Sequence, residues 1–202
     1  MLTGTATFAG AGALALSLGQ INVLPGLAMQ ATPTMESPFE DDVAVLNYAL
    51  TLEHLEYAFY RDGIGLFTFT TDGFGQDINA NMEAIRDHEG AHVETLTGVI
   101  TDLGGTPVEE GAYNFADAYA SIDAFLATAA AVENLGVSAY DGAAKYIENA
   151  DLLTAAGSIV AVEARHASYL NLLTGALPFP AAFESPLEPS AVLEAAGPFI
   201  AS

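Results

Sequence analysis

Hydrophobic positions recur every three to four residues over four long stretches of the chain, which is the period of an amphipathic α-helix. The segment Ser37-Pro38-Phe39-Glu40 has the features of a helix start. Its serine suits the N-cap, its proline the first helical position, and its glutamate follows the cap by three residues. The first helix is therefore predicted to run from this segment to Asp62 and Gly63, which stop it.

Three further helices are predicted from the same period and from glycine and proline stop signals. They cover residues 77–103, 118–147 and 151–173. Residues 64–76, rich in aromatic residues and glycine, are predicted as a loop with some strand character. Four helices of this length in one domain predict an all-α fold, an antiparallel four-helix bundle.

The two ends of the chain differ from the bundle. Residues 1–31 contain no charged side chain, and their apolar run is too short and interrupted to span a membrane. This pattern is typical of the hydrophobic part of a secretory signal, so an exported or cell-surface protein is predicted, with an assembly arm as the alternative. The predicted organisation is a signal-like segment and linker over 1–36, the bundle over 37–177 and an irregular C-terminal tail over 178–202.

Composition narrows the classes of function. The 26 acidic and 4 basic residues give a net charge of −22, which excludes a nucleic-acid-binding protein and a basic membrane-binding patch. The absence of cysteine excludes a disulfide scaffold, an iron–sulfur cluster and a thiolate zinc site. A hydrophobic content of 51% excludes a disordered acidic tail. The acidity indicates a solvated surface and salty or extracellular surroundings, where the charge is screened.

The candidate chemistry lies in a repeated pattern of glutamate and histidine, with one element in each predicted helix. The first and third helices share E-x-L-x-x-x-x-Y, and the second and fourth share E-x-x-H-x-x-x-L. In chain order the elements contain Glu53 and Tyr60, Glu89 and His92, Glu133 and Tyr140, and Glu163 and His166. Residues three apart share a helix face and residues seven apart nearly eclipse, so each element presents its side chains to one place.

Carboxylates and neutral imidazoles suit hard or borderline divalent ions such as iron and manganese. The repeated set has roughly the number of ligands that two such ions need. The alternative is a network of buried polar residues that satisfy one another. Burying four carboxylates without a cation is very costly, which favours the metal site.

With these motifs the chain resembles the ferritin-like superfamily, and most closely the exported ferritin-like domain proteins of bacteria and archaea. The resemblance covers residues 40–200 and depends on the stretches 50–61, 88–92 and 185–200. It implies a four-helix bundle with a dinuclear non-haem metal site. It also implies ligand roles: terminal carboxylates from Glu53 and Glu133, bridging carboxylates from Glu89 and Glu163, and imidazoles from His92 and His166.

Glu56 is a rival to Glu53, because it lies on a neighbouring face of the same predicted helix. Glu53 is preferred because the repeat gives it the partner Glu133, whereas the counterpart of Glu56 is Gly136.

Two pairs of side chains beside the predicted ligands have simpler interpretations. Tyr60 and Tyr140 are candidates for hydrogen bonds that orient ligand carboxylates, with packing on an apolar face as the alternative. His54 directly follows Glu53, and His88 directly precedes Glu89. Each histidine therefore points about 100° away from the neighbouring predicted ligand. Both are predicted to be surface or rim residues.

The resemblance does not decide the function. The function predicted first is binding of two ions, iron in preference to manganese, and oxidation of Fe(II) by dioxygen or peroxide. One alternative is manganese-dependent disproportionation of peroxide. Another is a structural or stress-protective surface protein with a stabilising or vestigial metal site. The predicted partners are divalent metal ions and dioxygen or peroxide, and the sequence leaves a homo-oligomer open.

Overall fold

A computed structural model describes residues 37–201 of the chain. This range forms five α-helices: α1 (Asp42–Gly63), α2 (Ile78–Asp102), α3 (Ile122–Ala143), α4 (Ala150–Leu173) and α5 (Pro189–Ala196). Within it there is no strand, and the strand character predicted for residues 64–76 is reduced to one isolated bridge between Thr71 and Asp77. The all-α prediction is confirmed. The signal-like segment predicted over residues 1–36 lies outside the described residues.

The four long helices form a bundle in which neighbouring helices run antiparallel. Between α1 and α3, Tyr60 bonds to Glu133 while Tyr140 bonds to Glu53, so the two helices run in opposite directions. Asn81 near the start of α2 bonds to the hydroxyl of Tyr169 near the end of α4, which gives the same relation for that pair. All four helices therefore face one common interior at their middle.

The start of α1 differs from the sequence prediction. Asp41 is the N-cap, and its carboxylate accepts a hydrogen bond from the Ala44 N–H at 2.9 Å. The Ser37 hydroxyl instead accepts from the Phe39 N–H at 3.1 Å, so the predicted capping box at residues 37–40 is wrong. A carboxylate caps well because it binds free backbone N–H groups and opposes the positive end of the helix dipole.

The start of α3 also shifts, from the predicted position near Ala118 to Ile122. The hydroxyl of Ser121 accepts a hydrogen bond from the Ala124 N–H at 3.1 Å and caps the helix. Residues 118–120 form a separate 3₁₀ turn before it. A similar turn over residues 144–146 follows the helix, so the predicted element contains one α-helix flanked by two short turns.

Aromatic side chains fill the bundle interior around the C-terminal half of α1. The rings of Phe59 and Phe125 stack with centroids 4.8 Å apart, and the rings of Phe115 and Tyr119 lie 5.3 and 5.6 Å from Phe59. Phe59 and Phe125 are fully buried. This aromatic cluster keeps water from one end of the bundle interior and lowers the local dielectric constant.

The C-terminal tail lies against α3 and contains the short helix α5, which was not predicted within an irregular tail. The Leu187 N–H donates a hydrogen bond to the Ser138 carbonyl at 3.0 Å. A Cβ at Gly142 would lie 1.8 Å from the Leu187 carbonyl oxygen, so this close contact requires glycine on α3.

Residues Ile122–Tyr146, which include α3, are long and apolar enough by length and composition to cross a membrane. The helix packs against α4 and α1 and carries Glu133, which is fully buried in the bundle. These contacts make it the core helix of the bundle, where a high apolar content is expected.

The high net charge leads to a prediction for stability. Three of the four basic side chains pair with acids at the surface, as Arg61 does with Glu110 and Arg86 with Asp87, so acidic residues far outnumber the ion pairs formed within residues 37–201. At −22, repulsion between carboxylates is expected to destabilise the fold in dilute buffer. The Debye length falls from about 30 Å at 0.01 M to about 3 Å at 1 M salt, so the melting temperature should rise with sodium chloride across that range. Equal melting temperatures at both concentrations would contradict this prediction.

Candidate metal centre

The middle of the bundle contains a cluster of buried acidic and imidazole side chains drawn from all four long helices. Their members are Glu53 and Glu56 on α1, Glu89 and His92 on α2, Glu133 on α3, and Glu163 and His166 on α4. Four of the glutamates, at positions 53, 89, 133 and 163, have no exposed surface at all. The structure thus brings together all six side chains predicted as ligands, together with Glu56.

Within the cluster, two groups of four side chains can each converge on one point. The first contains Glu53, Glu89, His92 and Glu163, and the second contains Glu89, Glu133, Glu163 and His166. In each group the potential ligand atoms all lie within 4.8 Å of one another. Glu89 and Glu163 belong to both groups, so the two points share these two carboxylates.

Each imidazole lies near more carboxylate oxygens than one N–H group can donate a hydrogen bond to. The Nδ1 atom of His92 lies 3.0, 3.1 and 3.2 Å from oxygens of Glu89, Glu163 and Glu53, respectively. A single N–H cannot donate well to three acceptors in different directions. Such a convergence of one nitrogen and three oxygens is the arrangement that a cation requires.

The second imidazole repeats this geometry. The Nδ1 atom of His166 lies 2.9 Å from Glu89 Oε1 and 3.1 Å from Glu133 Oε2. Because the other oxygen of Glu89 faces His92, its carboxylate divides its two oxygens between the two groups. Glu89 can therefore contribute one oxygen to each of the two groups.

Within residues 37–201, three buried carboxylate oxygens have no hydrogen bond of acceptable geometry, namely Glu89 Oε1, Glu163 Oε1 and Glu163 Oε2. The nearest imidazole nitrogens lie within ion-pair distance of Glu89 Oε1 and Glu163 Oε1, but their directions do not give a hydrogen bond. A buried acceptor left without a partner costs roughly 1–3 kcal/mol, and more if it is charged. Divalent cations at the two convergence points would satisfy these oxygens, so the donor set fits two metal ions.

Without a cation, the cluster must hold protons. Burial raises the pKa of Glu89 to about 7, the charge of Glu133 adds to the rise, and the two imidazoles partly oppose it. Burial also raises the pKa of Glu163 well above its ordinary value, with Glu133 and Glu89 adding to the effect. Glu89 and Glu163 therefore take up protons at pH values where free glutamate is ionised.

The imidazoles shift in the same direction for a different reason. Burial alone lowers the pKa of His92, but the carboxylates of Glu163, Glu53 and Glu89 outweigh it and raise this pKa to about 12. For His166, burial is likewise outweighed by Glu133 and Glu89, and the pKa rises to about 10. In the metal-free protein both imidazoles are protonated at neutral pH.

Two buried tyrosines hold the carboxylates that belong to one group only. The Tyr60 hydroxyl donates to Glu133 Oε1 at 2.7 Å, and the Tyr140 hydroxyl donates to Glu53 Oε1. Each tyrosine thus bonds to the glutamate of the other half of the repeat rather than to the one on its own helix. These bonds fix the orientation of both carboxylates.

Glu56 is as deeply placed as the predicted ligands, but it belongs to neither group of four. A Cβ at position 136 would lie 2.9 Å from Glu56 Oε1 and 3.2 Å from Glu163 Oε2. Gly136 therefore leaves the space that the Glu56 carboxyl occupies, and any side chain at position 136 would require that carboxyl to shift. Burial raises the pKa of Glu56 well above its ordinary value, and the charge of Glu163 adds to this.

His88 has a contact that the sequence prediction missed. Its ring is exposed, as predicted, yet it stacks on the His166 ring at 5.2 Å, and its Nδ1 lies 2.9 Å from His166 Nε2. Burial and the neighbouring His166 lower the pKa of His88, which favours its neutral form. The spacing of His88 and His92, four residues apart on one helix face, is the signal that could have indicated this role. His54, in contrast, contacts the Val108 carbonyl and does not join the cluster.

An open depression of about 230 Å³ reaches His166 from the solvent. Asn81 and Ile85 on α2 and Arg165, His166 and Tyr169 on α4 contribute to its wall. Polar solutes can therefore approach the His166 side of the cluster between α2 and α4.

A sequence model of the ferritin-like domain family matches residues 41–176. This span begins at the N-cap of α1, ends just after α4 and includes all seven buried side chains of the cluster. A comparison with curated proteins found no match to the chain.

Proposed function

Because the chain belongs to the ferritin-like domain family, we propose that it binds two non-haem metal ions and oxidises Fe(II) with dioxygen or peroxide. The observation that carries this proposal is the pair of four-residue groups sharing Glu89 and Glu163. Two convergence points joined by two carboxylates are the arrangement of a dinuclear site. Iron is preferred to manganese because oxidation by dioxygen needs an ion that readily gives up an electron.

In this proposal Glu53 and His92 would hold one ion, Glu133 and His166 would hold the other, and Glu89 and Glu163 would serve both. The charges support it, since four carboxylates and two neutral imidazoles balance two divalent ions. Binding would displace the protons that the metal-free cluster holds. The same charge balance removes the repulsion among four buried carboxylates that makes the metal-free cluster costly.

Bound iron would supply the one-electron chemistry that an oxidant requires. The chain contributes the surroundings of the site. Tyr60 and Tyr140 orient the two outer carboxylates, and the aromatic cluster around Phe59 keeps water from one side. The acidic surface raises the local concentration of divalent cations, and the depression beside His166 gives polar reagents a path inwards.

The direct test is reconstitution of chelator-treated protein with Fe(II) under anaerobic conditions. We expect two bound ions per chain by element analysis and, after addition of dioxygen or peroxide, formation of Fe(III) seen by absorbance. A matched control is Glu94→Gln, an exposed change on α2 that should leave the metal content unaltered. Binding of fewer than two ions, or bound Fe(II) that no oxidant converts, would contradict the proposal. Preferential binding of manganese with release of dioxygen from peroxide would instead support the manganese alternative.

Removal of the His88 ring should weaken metal binding without removing a ligand. The ring contacts the outer nitrogen of His166 and orients it, and loss of such a partner typically lowers metal affinity about 10–100-fold. Competition with a chelator of known affinity would measure this for His88→Ala. His54→Ala is the matched control, because that ring contacts the Val108 carbonyl outside the cluster. Equal affinities for the two variants would exclude an orienting role of His88.

A further inference from the structure

A largely enclosed apolar cavity lies in the bundle on the side of the metal centre away from the aromatic cluster. All four long helices contribute to its wall, including Val45 and Ala49 on α1, Leu96 on α2, Ala139 on α3 and Ile159 on α4. Its volume is about 40 Å³. On the same scale a single water needs roughly 10–15 Å³, so the cavity is large enough for a molecule of two or three heavy atoms.

The wall of the cavity is poorly suited to water. A buried water is stable when it has about two to four hydrogen-bond partners. The Tyr140 hydroxyl is already bonded to Glu53, and the Tyr48 hydroxyl, which is buried, has no protein partner within residues 37–201. Thr95 is an exposed residue at the rim. One free hydroxyl in an aliphatic wall does not hold water well, and apolar cavities of this kind stay dry and bind apolar molecules.

The cavity adjoins the metal centre through two side chains. The ring of Tyr140 forms part of its wall, and the hydroxyl of the same residue bonds to Glu53. Leu52, the immediate neighbour of Glu53, is also in the wall. At the other side Val99 and Leu152 are half-buried and separate the cavity from the surface between α2 and α4. A molecule held here lies one layer of side chains from the candidate ligands.

We propose that this cavity is a binding site for a small apolar gas, and that dioxygen reaches the metal centre through it past Tyr140. The second part rests on the proposed function, whereas the first part does not. The cavity excludes water and ions but accepts an uncharged diatomic molecule, so it separates the path of dioxygen from that of polar reagents. Peroxide, which needs hydrogen bonds, would instead use the open depression beside His166.

Xenon is the probe for the first part, because it is apolar, of suitable size and visible without any reaction. We expect a xenon peak between Ala139, Leu96 and Ile159 in crystals of the metal-free protein exposed to xenon gas. Ala139→Val adds two methyl groups inside the cavity and should abolish this peak. Ala143→Val, at another buried position of the same wall, is a second variant that serves if the first does not fold. Ala131→Val is the matched control, since Ala131 is exposed on the same helix.

The path to the metal centre is tested with the iron-loaded protein. Ala139→Val should raise the dioxygen concentration needed for half-maximal oxidation at least about fivefold, with the rate under hydrogen peroxide unchanged. Ala131→Val should match the wild type with both oxidants. Absence of xenon from the wild-type cavity, or ordered water within it, would overturn the gas site. Xenon binding together with an unchanged dioxygen response in Ala139→Val would overturn the path alone. Xenon binding in a protein that oxidises no Fe(II) would show that the proposed function fails while the gas site stands.

Discussion

Glu163→Gln is expected to stabilise the metal-free protein and destabilise the metal-loaded protein. In the metal-free form both carboxylate oxygens of Glu163 are buried without a hydrogen bond from the part of the chain that the structure describes. Burial, Glu133 and Glu89 raise the pKa of this group well above its ordinary value. Folding at pH 8 therefore requires either proton uptake or a buried charge whose cost the His92 imidazolium, 3.1 Å from Glu163 Oε1, offsets only in part. A neutral amide of the same shape avoids this cost, so the free energy of unfolding should increase.

In the metal-loaded form the same change removes a carboxylate that both groups of four share. Metal content should fall well below two ions per chain, and the melting temperature of the loaded form should drop by much more than the metal-free form gains. For a domain of this size, 1 kcal/mol corresponds to about 2–4 °C in melting temperature, so a few kcal/mol is easily measured. Melting curves with metal and after chelation, at pH 8, give both signs in one experiment.

The opposite signs separate the metal centre from a network of buried polar residues. Such a network would lose a member in both conditions, so it predicts destabilisation by Glu163→Gln with and without metal. Glu94→Gln removes a negative charge at an exposed position of α2 and controls for the change in net charge. Equal losses for Glu163→Gln in the two conditions would rule out the metal centre.

The bundle itself could be predicted from the sequence because each of its long helices carries a regular apolar period and a clear stop. The residues at which the helices begin were harder to predict from the sequence. Ser37 and Asp41 are both good N-cap residues four positions apart, and only the contact of the Asp41 carboxylate with Ala44 decides between them. The short helix α5 was missed because its stability depends on contact with α3 and not on a long periodic pattern of its own.

For the candidate site, the repeat was sufficient to find the side chains that converge. Spacing within a helix fixes which residues share a face, and the matching elements on four helices indicated a common interior. Spacing could not show that Tyr60 and Tyr140 exchange partners between the halves, since that depends on how α1 and α3 pair. Nor could it show that Glu56 is buried, because the space it fills comes from Gly136 on a different helix.

The second large effect expected is a loss of stability of the metal-free protein as the pH rises. The pKa of Glu89 is raised from 4.5 to about 7, so its contribution is fully present below pH 4.5 and is lost as the pH approaches 7. For His92 and His166 the pKa rises from 6.5 to about 12 and about 10, so their contributions are present below pH 6.5 and decline above it. All three groups act in the same direction, and the melting temperature should fall steadily between pH 5 and pH 9.

The size of this effect follows from the same shifts. One pKa unit corresponds to about 1.4 kcal/mol, so the change at Glu89 alone amounts to about 3 kcal/mol between pH 4.5 and pH 7. At about 2–4 °C per kcal/mol, that single group lowers the melting temperature by roughly 6–12 °C. Glu89→Gln removes this contribution, so its melting temperature should depend less on pH over that interval.

Metal reverses the dependence. Ions bind to ionised carboxylates and neutral imidazoles, so protons compete with them, and the loaded protein should lose stability as the pH falls. The difference in melting temperature between loaded and chelator-treated protein should therefore widen from pH 5 to pH 9. Performing both series in 1 M sodium chloride screens the surface carboxylates, whose repulsion has the same sign, while the buried cluster keeps its effect. A metal-free protein that becomes more stable with rising pH under these conditions would mean that the cluster holds no excess protons, and the charge balance proposed for two divalent ions would then be wrong.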